Sequence, residues 1–366
     1  MKQALKTRQI CLFFIAFAPI TKLFMLPSVV ASLAHNDGWI TACINLALDL
    51  VTLLIINLVC AKNNLTFIQL LESAFGKIGA KVICFLYAIY FLLKGFMPLQ
   101  EQKEFVKLSL YINLPTDLFF LPFFALSFYL CLKPLRAIGR LADICWLFTL
   151  AGYLLLIFLS FSGVDFGAIM PVGVNIKGAI KASYHSLNWW GDCVYLLFFM
   201  GNFARQKRAS VKIILSYLVS GVIVIVAFIF FWGTFTSIAF RQKFAMTELS
   251  KYTTVINNVG RFDYVGILFI LFSCTFSLAL PLYFCCRLLN YVFSLKSPWI
   301  SPIIANGLSL FFTLFLNQRL STTTFIFQRY FSLVFLVFSN ILPLFTVFIK
   351  AKKHTDKGDC YEPNKT

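Results

Sequence analysis

Acidic residues are scarce in this chain: there are 14 Asp and Glu against 32 Lys and Arg, and charged residues of both signs reach only 13% of 366 positions. A soluble globular chain carries about 25% charged residues, so a water-exposed surface is excluded for most of the length. Long polar stretches are missing too, which leaves no room for a soluble domain. Histidine is limited to His35, His185 and His354, and the 11 cysteines include no C-x-x-C pair. Zinc and haem sites need such ligands at short spacing. No metal or other cofactor is therefore expected, and the cysteines read as small polarizable core residues. There is no G-x-G-x-x-G, no P-loop and no G-x-S-x-G. Nothing in the sequence predicts an enzyme.

Apolar residues are plentiful, at 60% of the chain with 44 Phe. They fall into ten stretches, at residues 10–31, 38–60, 81–98, 117–135, 141–161, 178–203, 211–235, 264–293, 298–316 and 328–349. Most are long enough to cross a hydrocarbon core of ~30 Å. The pattern predicts an all-α integral membrane protein, with one ten-helix transmembrane domain over residues 1–349 and a polar cytoplasmic tail over 350–366. Residues 1–34 have a basic start and end near Ser32-Leu33-Ala34, as a signal peptide would. The apolar run is too long for one and carries Lys22, so it reads as an uncleaved first span. The largest loop, residues 238–263, is predicted to be a surface segment or short helices on the outer side.

The net charge of +18 does not call for a nucleic acid partner. With the N-terminus inside, 20 basic residues fall on the inner side and 10 on the outer. The positive-inside bias then places both termini in the cytoplasm, next to anionic lipid headgroups.

Two stretches are interrupted. Ala18-Pro19-Ile20-Thr21-Lys22 breaks the first, and Asn188-Trp189-Trp190-Gly191-Asp192 breaks the sixth. Irregular backbone at membrane depth is tolerated only where protein buries it or a cavity needs it. Broken helices in corresponding positions of two five-helix halves point to a binding site near the bilayer midplane. The candidate ligand-binding residues are Pro19, Thr21, Lys22, Asn188, Trp189, Gly191 and Asp192. Both half-helices would present positive N-terminal ends at one depth. Asp192 suits an N-cap there, whereas Lys22 needs a compensating anion. That anion is a ligand carboxylate or Asp192 itself, unless Lys22 snorkels to an interface. Trp189 and Trp190 form either a cation–π wall or bundle packing.

Other polar residues have plainer readings. Asp49, Asn45 and Asn57 either bond neighbouring helices or join the pocket. Lys94 is expected to snorkel from the outer end of the third stretch. Glu101 and Glu104, one turn apart, read as a hydrated flank. Asp37 with Trp39 reads as cap and anchor of the second helix.

Four segments resemble a known family. "LFMLPSVVASLAHNDGWI" (Leu23–Ile40) is similar to the first-span signature of the germinant receptor B subunits, the spore germination permeases. "YLCLKPLRAIGRLADI" (Tyr129–Ile144), "FGAIMPVGVNIKGAI" (Phe166–Ile180) and "GRFDYVGILF" (Gly260–Phe269) resemble later family segments in the same order. The resemblance implies the amino acid–polyamine–organocation transporter architecture, with two inverted five-helix repeats. It implies a subunit that senses a small nutrient, an amino acid or similar solute, in the spore inner membrane. An A-type membrane subunit and a C-type lipoprotein are the implied partners. A secondary amino acid or amine transporter of the same fold is the alternative. Family members usually carry Glu after the glycine of the sixth span, where this chain has Asp192.

Overall fold

Prolines and glycines inside apolar runs decide where these helices stop. In the computed structural model, which describes residues 5–62, 65–109, 116–206, 208–251, 263–315 and 326–346, the first apolar stretch forms three pieces. These are α1 (Thr7–Ala16), α2 (Ile20–Leu23) and α3 (Leu26–Ala34). Pro19 has no amide hydrogen and sits at the N-cap of α2. Pro27 lies in the first turn of α3, where a missing donor is harmless. Then come α4 (Gly38–Lys62), α5 (Phe67–Ser109, two helical pieces joined by a kink at Gly76), α6 (Thr116–Leu132) and α7 (Leu135–Ser160).

The sixth stretch is split into α8 (Ile176–His185) and α9 (Val194–Phe199). The remainder comprises α10 (Ala209–Phe235), α11 (Ala245–Lys251), α12 (Asp263–Phe293), α13 (Ile300–Phe315) and α14 (Phe327–Phe345). Two π-helical turns, Phe327–Phe331 and Val337–Ile341, interrupt α14. Five helical stretches among the described residues are long and apolar enough to cross a membrane. On α10, Val211, Leu215 and Val222 point outward. Hydrocarbon, not water, suits such a face.

The two broken segments run antiparallel with their ends aligned. A two-residue strand β1 (Leu5–Lys6) ahead of α1 pairs in parallel with β2 (Phe203–Ala204) after α9. At the opposite end, Asn175 Nδ2 donates to Leu33 O at 2.9 Å. Asp37 lies beside this junction, fully buried, and accepts from Gly173 N at 2.8 Å and Asn175 N at 2.6 Å. It therefore fastens the turn that leads into α8, instead of capping α4 as the sequence suggested.

One further expectation changes. The third span does not end at Pro98, which lies inside α5. The helix continues because the next turn, Gln100 to Lys103, is buried by neighbouring helices and not hydrated. The loop after α10 forms short helices, one of the two forms expected, and it packs on the bundle. Phe244, Ala245 and Leu249 are buried, and Ala245 N donates to Phe24 O at 2.9 Å. The end of that loop, residues 252–262, and the tail, residues 350–366, lie outside the described residues.

Candidate functional site

The breaks expose backbone that side chains must satisfy. Past α1 the carbonyl of Ala18 takes a hydrogen bond from Lys22 Nζ at 2.7 Å. Between α8 and α9 the chain winds through turns, and Gly191 adopts φ +83°. That left-handed conformation strains any residue with a β-carbon. A Cβ at this position would also lie 2.4 Å from Ser339 Cβ of α14. The Gly191 amide donates to Asp49 Oδ2 of α4 at 2.9 Å, and the Tyr217 hydroxyl of α10 donates to the same oxygen. Asn45, one turn earlier on α4, donates to Ser186 Oγ at 2.8 Å. Asp49 and Asn45 thus hold the two ends of the sixth-segment break. Asn57 donates to Ser210 O farther along α4, as a helix-to-helix bond.

Where the breaks meet, two lysines face one carboxylate. Lys22 donates to Asp192 Oδ2 and stands 5.1 Å above the Trp190 ring. Lys94 of α5 lies 3.1 Å from Asp192 Oδ1 and donates to Trp190 O at 2.7 Å. Lys22 is 1% exposed and Lys94 6%. Neither snorkels. The expectation for Lys94 fails because α5 runs deeper into the bundle than its sequence position suggests, which puts the ammonium beside the break. Asp192 does not act as an N-cap either. Cys193 occupies that position of α9 without a side-chain cap, and the Asp192 carboxylate is held by the two ammoniums. Charge-assisted bonds of this kind compensate the loss of hydration that buried ions suffer.

A small cavity opens beside this trio, with Thr21, Lys94, Asn188, Trp189, Asp192 and Tyr195 in its wall. Four of the seven candidates, Thr21, Asn188, Trp189 and Asp192, therefore share one cavity. Pro19, Lys22 and Gly191 lie outside its wall. Pro19 starts α2, Lys22 grips Asp192 from behind, and Gly191 faces Ser339. The Asn188 side chain is 5% exposed, and neither its Nδ2 nor its Oδ1 has a partner in the structure. Trp189 turns its Nε1 to Glu101 Oε1 at 2.7 Å. Glu101 is thus a buried acceptor, not a hydrated flank, because the packed continuation of α5 carries it inward. Glu104 pairs with Lys243 at 2.9 Å, near the protein surface.

Sequence reasoning missed Lys94 and Glu101 as members of this neighbourhood. A signal was present, since residues seven apart lie on one helix face two turns from each other. Lys94 and Glu101 have that spacing, and both reach the sixth-segment break. Among the described residues, no group of three His, Cys, Asp or Glu side chains is placed to hold a metal ion.

Comparison with known proteins fits this geometry. The family model described as "Spore germination protein" matches residues 4–320. No curated protein matches the chain. Among solved structures, the fold is similar to Mhp1, a nucleobase-cation-symport-1 family transporter, in a closed conformation with bromovinylhydantoin bound. That likeness has a TM-score of 0.56 at 15% identity, covering 94% of this chain and 77% of Mhp1. The inward-facing conformation of Mhp1 gives 0.52 at 13% identity, covering 95% and 76%. The relationship is one of fold, and it is a permease fold, not an enzyme's.

Proposed function

We propose that this chain, which belongs to the spore germination protein family, is the membrane subunit of a germinant receptor and binds a small nutrient between its two broken segments. The observation that carries this reading is the cavity itself. A buried, unpartnered amide and a lysine stand in its wall at the point where both broken segments meet. In this reading residues 1–349 form ten spans arranged as two inverted five-helix repeats. The antiparallel, end-aligned placement of the first and sixth segments supports that arrangement. The excess of basic residues on one side supports cytoplasmic termini. Family membership supports an A-type membrane subunit and a C-type lipoprotein as partners in the spore inner membrane.

The test fills the cavity. Thr21→Phe places a ring in the space where a solute would sit. Spores carrying this variant at normal abundance should respond to the nutrient as poorly as spores lacking the chain. A full response at normal abundance would refute the cavity as the site of sensing. The likeness to Mhp1 favours transport as a second reading. Accumulation of labelled amino acid in sealed vesicles, abolished by the same substitution, would establish it.

A further inference from the structure

We infer that Asn188 makes the cavity selective for solutes with a carboxamide or lactam edge, a hydrogen-bond donor beside an acceptor, and that Lys94 takes an anionic oxygen of the same solute. This rests on the proposed role of the cavity as a ligand site and specifies its chemistry.

The charged side chains and the indole around the cavity already have partners. The Lys22 ammonium is occupied by Ala18 O, by Asp192 and by the Trp190 ring. Asp192 is held on both oxygens by ammoniums. Trp189 donates to Glu101. Beside the Thr21 and Tyr195 hydroxyls, an ammonium and an amide of the wall keep capacity. An ammonium has three hydrogens, and Lys94 directs them at two acceptors, Asp192 Oδ1 and Trp190 O, which leaves one donor over. Asn188 leaves its whole amide unused, donor and acceptor together.

A buried amide without partners is unfavourable, and buried polar groups are almost always satisfied by protein, water or ligand. The inference does not depend on which end of the Asn188 amide is nitrogen, because both ends are free. One carboxamide is complementary to another: each N–H meets the other's carbonyl in a two-bond pair. A carboxylate offers only acceptors and an ammonium only donors, so either would leave half of Asn188 unpaired. A site that hydrogen-bonds a polar group discriminates strongly against analogues that lack it. Next to this edge, the hydrogen that Lys94 has left over suits an anionic oxygen.

Two matched probe pairs test this on the full chain reconstituted in lipid nanodiscs. Pyroglutamate has the ring and carboxylate of proline plus a lactam, and glutamine differs from glutamate by a carboxamide. Calorimetric titration should show pyroglutamate binding at least roughly tenfold tighter than proline, and glutamine tighter than glutamate by a similar factor. Asn188→Leu should erase both preferences. Asn188→Asp keeps the size of the side chain and loses its amide donors, and it should erase them as well. Thermal unfolding of each variant confirms that it is folded. Equal affinities within each pair for the wild-type chain, or preferences that survive Asn188→Leu, would overturn the inference and assign the amide to water. Absence of binding by all four probes would also overturn it. The Thr21→Phe germination test stands apart from these outcomes, so the cavity can succeed as a sensing site while this selectivity fails.

Discussion

Lys94 reaches Asp192 from α5, its Nζ 3.1 Å from Oδ1, while Lys22 holds the other carboxylate oxygen. One buried anion is thus shared between two cations from separate helices. Removing the anion leaves two ammoniums facing each other, whereas removing one cation leaves a matched pair. Asp192→Asn should therefore lower stability by about 3–5 kcal/mol, the range for breaking a buried ion pair. Lys22→Met and Lys94→Met should each cost less. The double substitution Lys22→Met/Asp192→Asn should recover part of the loss, since one lysine then remains in place of two. Membrane abundance and thermal unfolding read all four variants. Asp192→Asn protein as abundant and heat-resistant as wild type would refute the shared-anion account.

Gly191 is constrained by its backbone and by its neighbour. Gly191→Ala forces a β-carbon into the left-handed region, worth about 1–2 kcal/mol, and toward Ser339 Cβ at 2.4 Å. Adding Ser339→Gly removes the crowding and leaves the backbone strain. The pair should be more stable than Gly191→Ala alone and less stable than wild type in thermal melts. Wild-type stability for Gly191→Ala would show that the turn tolerates a side chain.

Asp49 holds the Gly191 amide and the Tyr217 hydroxyl through one oxygen. Asp49→Ala leaves both donors buried without an acceptor and should destabilise by about 2–4 kcal/mol, taking 1–3 for each unsatisfied group with partial relaxation. Tyr217→Phe removes a single bond and should cost about 1 kcal/mol. In a double-mutant cycle the second change should matter little once the first is made. Strict additivity would mean that the two residues act separately.

Orientation has its own test. In a cysteine-free background, Arg241→Cys should react with an impermeant maleimide from outside, and Lys62→Cys only after the membrane is opened. Both positions are exposed. The reverse pattern would invert the topology inferred from the basic residues.

The breaks were legible because proline, glycine and charge inside apolar runs have no other economical explanation. Pro19 and Gly191 stand at turns the structure contains, and Lys22 does meet Asp192. Lys94 and Glu101 were not legible, because Pro98 between them looked like the end of a helix. Soluble-protein experience makes an internal proline a stop, yet neighbouring helices can satisfy the freed carbonyls of a membrane helix. Asp37 was misjudged for a different reason. Its acceptors serve Gly173 and Asn175, and a contact between residues so distant in sequence leaves no local pattern.

The first and sixth segments are fastened at three levels. Leu5 pairs with Phe203 at one end, Asn175 bonds Leu33 at the other, and Lys22 bonds Asp192 where the breaks meet. Two rods tied at both ends cannot slide past each other without undoing both knots at once. They can still bow apart in the middle, because each already has a joint there. Loosening the central tie is then the motion of least resistance: the pair would flex like two bows strung tip to tip, changing the width of the cavity while the tips stay in register.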